Sequence, residues 1–183
     1  MRICIGIPAY KSIHPQTLSC LLWLVEFSKE HEFVFSVRSQ HSIAHNRNKI
    51  VEEAKGAEYL LFVDADMVFP EDVLKRLLAH GKEVVGVDSS FKELPRQTTI
   101  KHDYAEMPKE LFRARAVGGG ILLIKTSVFE KLEKPYFVME HDQSEGLISK
   151  GEDVYFCEKA RKAGIEIWCD PKIPIKHIGD YLY

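Results

Sequence analysis

Short apolar runs alternate along the chain with longer stretches whose apolar positions recur every three or four residues, and this alternation predicts the elements. Arg2 to Ile7 reads as a first strand, ended by Pro8. Pro15 to Glu30 reads as a helix with little polar surface in its middle; its greasiest part, Leu18 to Phe27, is the pattern of a core helix. Glu32 to Val37 is a second strand. Ser42 can cap a helix that runs to about Lys55 and stops at Gly56, and Tyr59 to Val63 is a third strand, apolar on both faces. This β-α-β-α-β order implies a parallel sheet with right-handed crossovers. A helix from Pro70 to His80, closed by Gly81, and a fourth strand, Glu83 to Val87, extend it. The expected fold class is α/β: one domain with a Rossmann-like, mostly parallel central sheet and helices on both faces.

The middle of the chain is less regular. Asp88 to Arg115 is polar, holds Pro95 and Pro108, and offers one short strand near Thr98 to Lys101, so it should cross the sheet's edge or form a flap. Gly118-Gly119-Gly120 then opens the strand ILLIK, a start that is flexible or closely approached. Ser127 and Glu130 have capping-box spacing for a short helix ending before Pro135. His141 to Lys150 reads as a mobile loop leading into Gly151-Glu152-Asp153, whose helix runs to Ala163 and stops at Gly164. Ile165 to Cys169 is a last strand, and the tail carries His177.

Chemistry enters where the third strand ends in Asp64-Ala65-Asp66. In open α/β sheets the C-terminal strand tips are where ligands bind, because helices cover both faces. Two carboxylates with one residue between them can reach a single divalent cation or its waters, and so hold a diphosphate through that metal. D-x-D alone also fits a solvated turn, with Glu71 and Asp72 beginning the next helix. Two further polar features can reach the same edge: Glu152 with Asp153 at a late helix start, and His177 in the Pro-punctuated tail. A histidine beside carboxylates suits Mn²⁺ as well as Mg²⁺.

Composition narrows the partners. The 183 residues carry a net charge of -2 with a pI near 6.5, which leaves no electrostatic footprint for nucleic acid. Cys4, Cys20, Cys157 and Cys169 are scattered through apolar stretches without a C-x-x-C pair, so buried, reduced thiols are expected. The apolar start before Pro8 is too short for a signal peptide, and no segment approaches the ~20 apolar residues of a membrane span. A cytoplasmic location is the corresponding expectation.

Taken in order, IPAY near the start, HNRNKIVEEA, YLLFVDAD, VGGGILLIKTSVFEKL and GEDVYFCEKARKAGIEIWCDPKIPIKHIG resemble the GT-A glycosyltransferases, in particular the inverting family 2 group. The likeness covers nearly the whole chain. It implies a GT-A catalytic domain with a nucleotide-binding half, 1–101, and an acceptor and catalytic half, 102–183. It implies a UDP- or GDP-linked donor, a saccharide, lipid-linked or protein acceptor, and Mn²⁺ or Mg²⁺. It also implies roles: Asp66 as metal ligand, Asp64 at the metal shell or ribose, His177 completing the coordination, and Asp153 as base with Glu152 positioning it. Pro8, Tyr10 and Arg47 match positions near the nucleotide, and Gly119 and Gly120 the wall of the donor sugar. A carboxylate at a helix N-terminus should have a lowered pKa and be ionised, ready to accept a proton from an acceptor hydroxyl.

The sequence departs from the family in two places. The second strand runs into Arg38-Ser39-Gln40-His41 without the acid that often reads the nucleobase. The chain also stops soon after His177, short of a longer C-terminal region, as in a minimal member or an excised domain. Three alternatives compete. A haloacid-dehalogenase-like phosphatase would use Asp64 as nucleophile, and a non-catalytic nucleotide-sugar-binding module would keep the fold without turnover. A sugar-nucleotide pyrophosphorylase would share the sheet but should open on a Gly-rich loop, which IGIPAYKS is not.

Overall fold

The alternation of side chains along the strands builds two apolar layers, one on each face of a central sheet. The computed structural model describes residues 1–39, 41–89, 98–142 and 146–179. In β1 (Arg2–Pro8), Ile3, Ile5 and Ile7 point to one layer and Cys4 to the other; in β3 (Tyr59–Val63), Leu61 and Val63 are divided in the same way from Leu60 and Phe62. The first layer is closed by α1 (Pro15–Phe27) and α3 (Val73–Ala79). The second is closed by α2 (Ile43–Glu53), α4 (Ser127–Glu130) and α5 (Glu152–Lys162). Gly6 lets α2 approach, because a Cβ there would lie 2.4 Å from Ile50 Cγ2.

Among the described residues seven strands form this sheet, in the order β2 (Glu32–Arg38), β1, β3, β7 (Ile121–Lys125), β5 (Val84–Val87), β10 (Ile167–Asp170), β6 (Phe112–Ala114). β2, β1, β3, β5 and β10 share a direction. β7 runs against β3 and β5, and β6 against β10. The glycine-led ILLIK strand is thus wedged antiparallel between two parallel neighbours, which the β-α-β pattern did not specify.

Several boundaries differ from expectation. α1 ends at Phe27, and it is no core helix: Thr17, Cys20, Leu21 and Leu24 are buried while Leu18, Leu22, Trp23 and Phe27 face outward. The helix expected from Pro70 begins at Val73, because a two-residue strand, β4 (Met67–Val68), intervenes and Asp72 gives no side-chain cap. The Ser127–Glu130 capping box is not made. Thr126 is the N-cap residue, and its hydroxyl instead donates to the carbonyl of Ala57 at 2.6 Å. The strand expected at Thr98 to Lys101 reduces to isolated bridge positions at Thr98 and at Lys101, the latter paired with Ala116. The loop expected at 141–150 is bounded by a paired hairpin, β8 (Glu140–His141) and β9 (Ile148–Lys150). Residues 90–97 of the expected crossing, Gln40 and residues 143–145 lie outside the described residues. Ser42 caps α2 by accepting from the His45 N–H, and all four cysteines are buried and free.

Candidate active site

His177 meets the aspartates through a ribbon too short to show in a periodicity. β11 (Lys176–His177) pairs antiparallel with β4, His177 against Met67, and the Ile178 N–H donates to the Asp66 carbonyl at 2.8 Å. The imidazole Nε2 consequently lies 3.1 Å from Asp66 Oδ1. The glycine segment reaches the same spot because β7 is antiparallel to β3: the start of one lies beside the end of the other, and the Asp64 N–H donates to the Gly120 carbonyl at 2.9 Å. One residue earlier, the Gly119 N–H donates to Asp153 Oδ2 at 3.2 Å. The Val154 N–H at the start of α5 donates to Asp153 Oδ1 at 2.7 Å.

Beneath these groups lies Arg47, 1% exposed. Its Nη2 donates to Asp64 Oδ1 at 2.7 Å and its Nε to Glu152 Oε1 at 3.1 Å, while the guanidinium carbon sits 4.9 Å from the centre of the Phe62 ring. Gly119 makes room for it, since a Cβ there would be 2.3 Å from Nη2. Arg47, expected near the nucleotide, does not line the cleft itself. The side chain is enclosed under the cleft and acts on it through Asp64 and Glu152. Burial works against its charge, but Asp64, Glu152 and Asp153 outweigh burial and hold its pKa above the usual arginine value.

The carboxylates are perturbed in the opposite sense. Burial raises the pKa of Asp64, with Arg47 opposing. Burial, then repulsion from Glu152, raises that of Asp153 against the pull of Arg47 and the two backbone N–H donors. The expected lowering at a helix N-terminus is overturned, because lost hydration outweighs the dipole at this depth.

A cavity of about 320 Å³ opens above the ribbon, with Pro8, Tyr10, His41, Asp64, Asp66 and His177 among its walls. Larger cavities of about 540 and 560 Å³ lie elsewhere: one beside the C-terminal end of α2, the other among Phe69, Pro171 and Ile173. Neither touches Asp64 or Asp66. The smaller cavity is the candidate site because Asp64, Asp66 and His177 line it, whereas Glu152, Asp153, Gly119 and Gly120 lie outside its walls. The structure brings Asp66 and His177 together and turns one oxygen of Asp64 toward Arg47. Among the described residues no three ligand side chains surround one point. His41 was missed as a wall residue. Its signal was its place directly after the second strand, where an acid was sought, and its ring packs 4.6 Å from that of His45.

The family model for glycosyl transferase family 2 matches residues 23–131. The chain belongs to that family. Among curated proteins none matches this family 2 member by sequence. Its fold resembles the crystal structure of A197 from STIV, at 24% identity and a TM-score of 0.70 over 98% of this chain and 87% of that one. It also resembles GalNAc-T7 with UDP, GalNAc and Mn²⁺ (12%, TM-score 0.57), covering 98% of this chain and 44% of that one. A third likeness is to UDP-glucose pyrophosphorylase complexed with UDP-glucose (12%, TM-score 0.58), covering 96% and 92%. These likenesses establish the GT-A fold, and membership of family 2 supports glycosyltransferase activity. For the phosphatase alternative, Asp64 is poorly placed as a nucleophile, because it is ion-paired to Arg47.

Proposed function

We propose that this chain is a metal-dependent, inverting glycosyltransferase that takes a sugar from a nucleoside-diphosphate donor and uses Asp153 as base. The observation that carries the reading is the glycine segment. Gly120 holds the backbone of Asp64 and Gly119 holds the carboxylate of Asp153, so the donor acids and the base flank one strand start.

The charge balance fits a divalent cation. Asp64 and Glu152 share the single guanidinium of Arg47, and Asp153 beside them adds a further negative charge once ionised. Asp66 and His177 would hold the ion, with Asp64 beside them. Two protein ligands suit an ion that fills its remaining positions with substrate phosphate oxygens and water. When bound, the ion supplies charge neutralisation on the diphosphate leaving group. Pro8, Tyr10 and His41 would enclose the nucleoside, and the backbone at Gly119 and Gly120 would face the sugar. Asp153, once ionised, accepts the acceptor hydroxyl's proton as the oxygen bonds to the anomeric carbon and the diphosphate departs. The N–H groups of Gly119 and Val154 orient the carboxylate for this transfer. A single base opposite the leaving group corresponds to inversion.

Calorimetry with UDP and GDP tests the reading. Mn²⁺ is expected to tighten binding at least about tenfold in the wild-type chain, and His177→Ala to remove most of that gain. Binding that is absent, or indifferent to Mn²⁺, contradicts it.

A further inference from the structure

The sheet has one bare flank. Among the described residues β2 is its first strand and pairs with β1 alone, so one edge of seven residues, Glu32–Arg38, shows no strand partner there. α2 covers one face of β2, where Ser36 and Arg38 bond to Glu53. On the other face α1 stops short. Phe33 packs against the core, while Phe35 and Val37, two and four residues on and therefore on the same face, are 47% and 49% exposed. α1 adds Leu18 and Leu22, 49% and 63% exposed. These lie on the flank of the helix turned from α3, since Phe27 on the opposite flank meets Lys75. The result is an apolar trough beside an open strand edge. It has no proline, bulge or inward-pointing charge of the kinds that normally blunt such edges.

We propose that this flank is the surface through which two copies of the chain pair, β2 against β2 antiparallel about a two-fold axis at Phe35. The strand is complementary to itself in that register. Phe35 faces its own counterpart, Phe33 faces Val37, and Glu32 faces Arg38 at both ends, extending the existing pairs Glu32–Arg2 and Arg38–Glu53. The same axis sets the two troughs side by side on one face, so Leu18 and Leu22 of each copy close over the paired Phe35 and Val37. The four half-exposed side chains offer roughly 400 Å² per copy, and the strand edge with its rim brings this to roughly 600–800 Å², the scale of a standard interface. The two sheets become one, and β2 gains its missing ladder of hydrogen bonds.

Sedimentation equilibrium across a concentration series tests this. The wild-type chain is expected to sediment at twice its 21.0 kDa mass, with a dissociation constant of about 10 µM or tighter. Val37→Lys on the strand and Leu22→Glu on the helix are each expected to weaken pairing at least about tenfold. Trp23→Glu, on the far flank, is expected to leave it unchanged, and circular dichroism confirms that each variant folds. A chain that stays monomeric at about 100 µM overturns the proposal. So does a dimer indifferent to Val37→Lys and Leu22→Glu, or one dissolved by Trp23→Glu. A monomer that binds anionic lipid vesicles through Leu22 and Val37 would assign the trough to a membrane surface and overturn it as well.

Discussion

Arg47→Ala is expected to lower the unfolding free energy by about 3–5 kcal/mol, because it leaves the buried Glu152 and the half-buried Asp64 without their shared cation and empties an enclosed site. Against a typical total of about 5–15 kcal/mol, that is a third or more of the stability of an ordinary domain. The packing of the guanidinium on Phe62 and Phe137 adds to the loss. Arg47→Lys should recover only part of it, since an ammonium cannot reach both carboxylates in the planar, forked geometry that Nε and Nη2 use. Urea unfolding at neutral pH measures the effect as a fall in the midpoint at constant slope. A loss below about 1 kcal/mol would mean that the cluster reorganises without its cation and that the clamp has been misread.

Asp153→Asn is expected to reduce transfer by about 10²–10⁴-fold while leaving nucleotide affinity nearly unchanged, because it removes the proton acceptor and Asp153 does not line the nucleotide cavity. The pH dependence follows from the raised pKa of this group. The base works when ionised, so activity falls on the acid side, with the limb displaced above the ordinary aspartate value of 3.8. A carboxyl whose folded pKa is raised stabilises the fold below its unfolded pKa and loses that contribution as pH rises through the folded value. At neutral pH the native state therefore carries a half-buried charge repelled by Glu152. The amide relieves that repulsion but can accept only one of the two backbone N–H bonds, from Gly119 or Val154, so its stability should stay within about 1–2 kcal/mol of the wild type. Initial rates across a pH series, with urea unfolding of the same variant, check both halves. Lost nucleotide binding, or a sharp fall in stability, would show that Asp153 holds the site together and does not act in the chemistry.

Much of the architecture was legible in the pattern of apolar positions. Tyr59 to Val63 could only be a doubly buried strand, and Asp64 and Asp66 had to emerge at its tip. Ser42 and the glycines at 56, 81 and 164 punctuated the helices because their local chemistry is strong: an oxygen that caps, and residues at φ +87°, +62° and +81°. What was hidden depended on contacts between distant segments. A two-residue ribbon has no period, so β4 and β11 left no signal, although they bring His177 to Asp66. The reversed direction of β7 is set by its neighbours and not by ILLIK itself, yet it is what lays Gly120 beside Asp64. The helix-terminus argument for Asp153 failed because sequence conveys position along a helix and not depth. The apolar stretch of α1 was read as core because composition does not say which half of a helix is covered. Arg47 stood out as a charged residue by a motif, and its enclosure between Phe62 and Phe137 could not be read from its neighbours in the chain.

In the proposed mechanism Asp66 and His177 would hold a cation on the diphosphate side of the donor while Asp153 waits on the acceptor side. Anomalous diffraction from crystals soaked with UDP and Mn²⁺ tests it most directly. One strong peak is expected at about 2.0–2.2 Å from a carboxylate oxygen of Asp66 and from the imidazole of His177. The nucleotide should lie between Tyr10 and His41, with Asp153 beyond the β-phosphate and clear of the metal. A peak bound by Asp153, or a nucleotide seated in another cavity with no metal at Asp66, would contradict it.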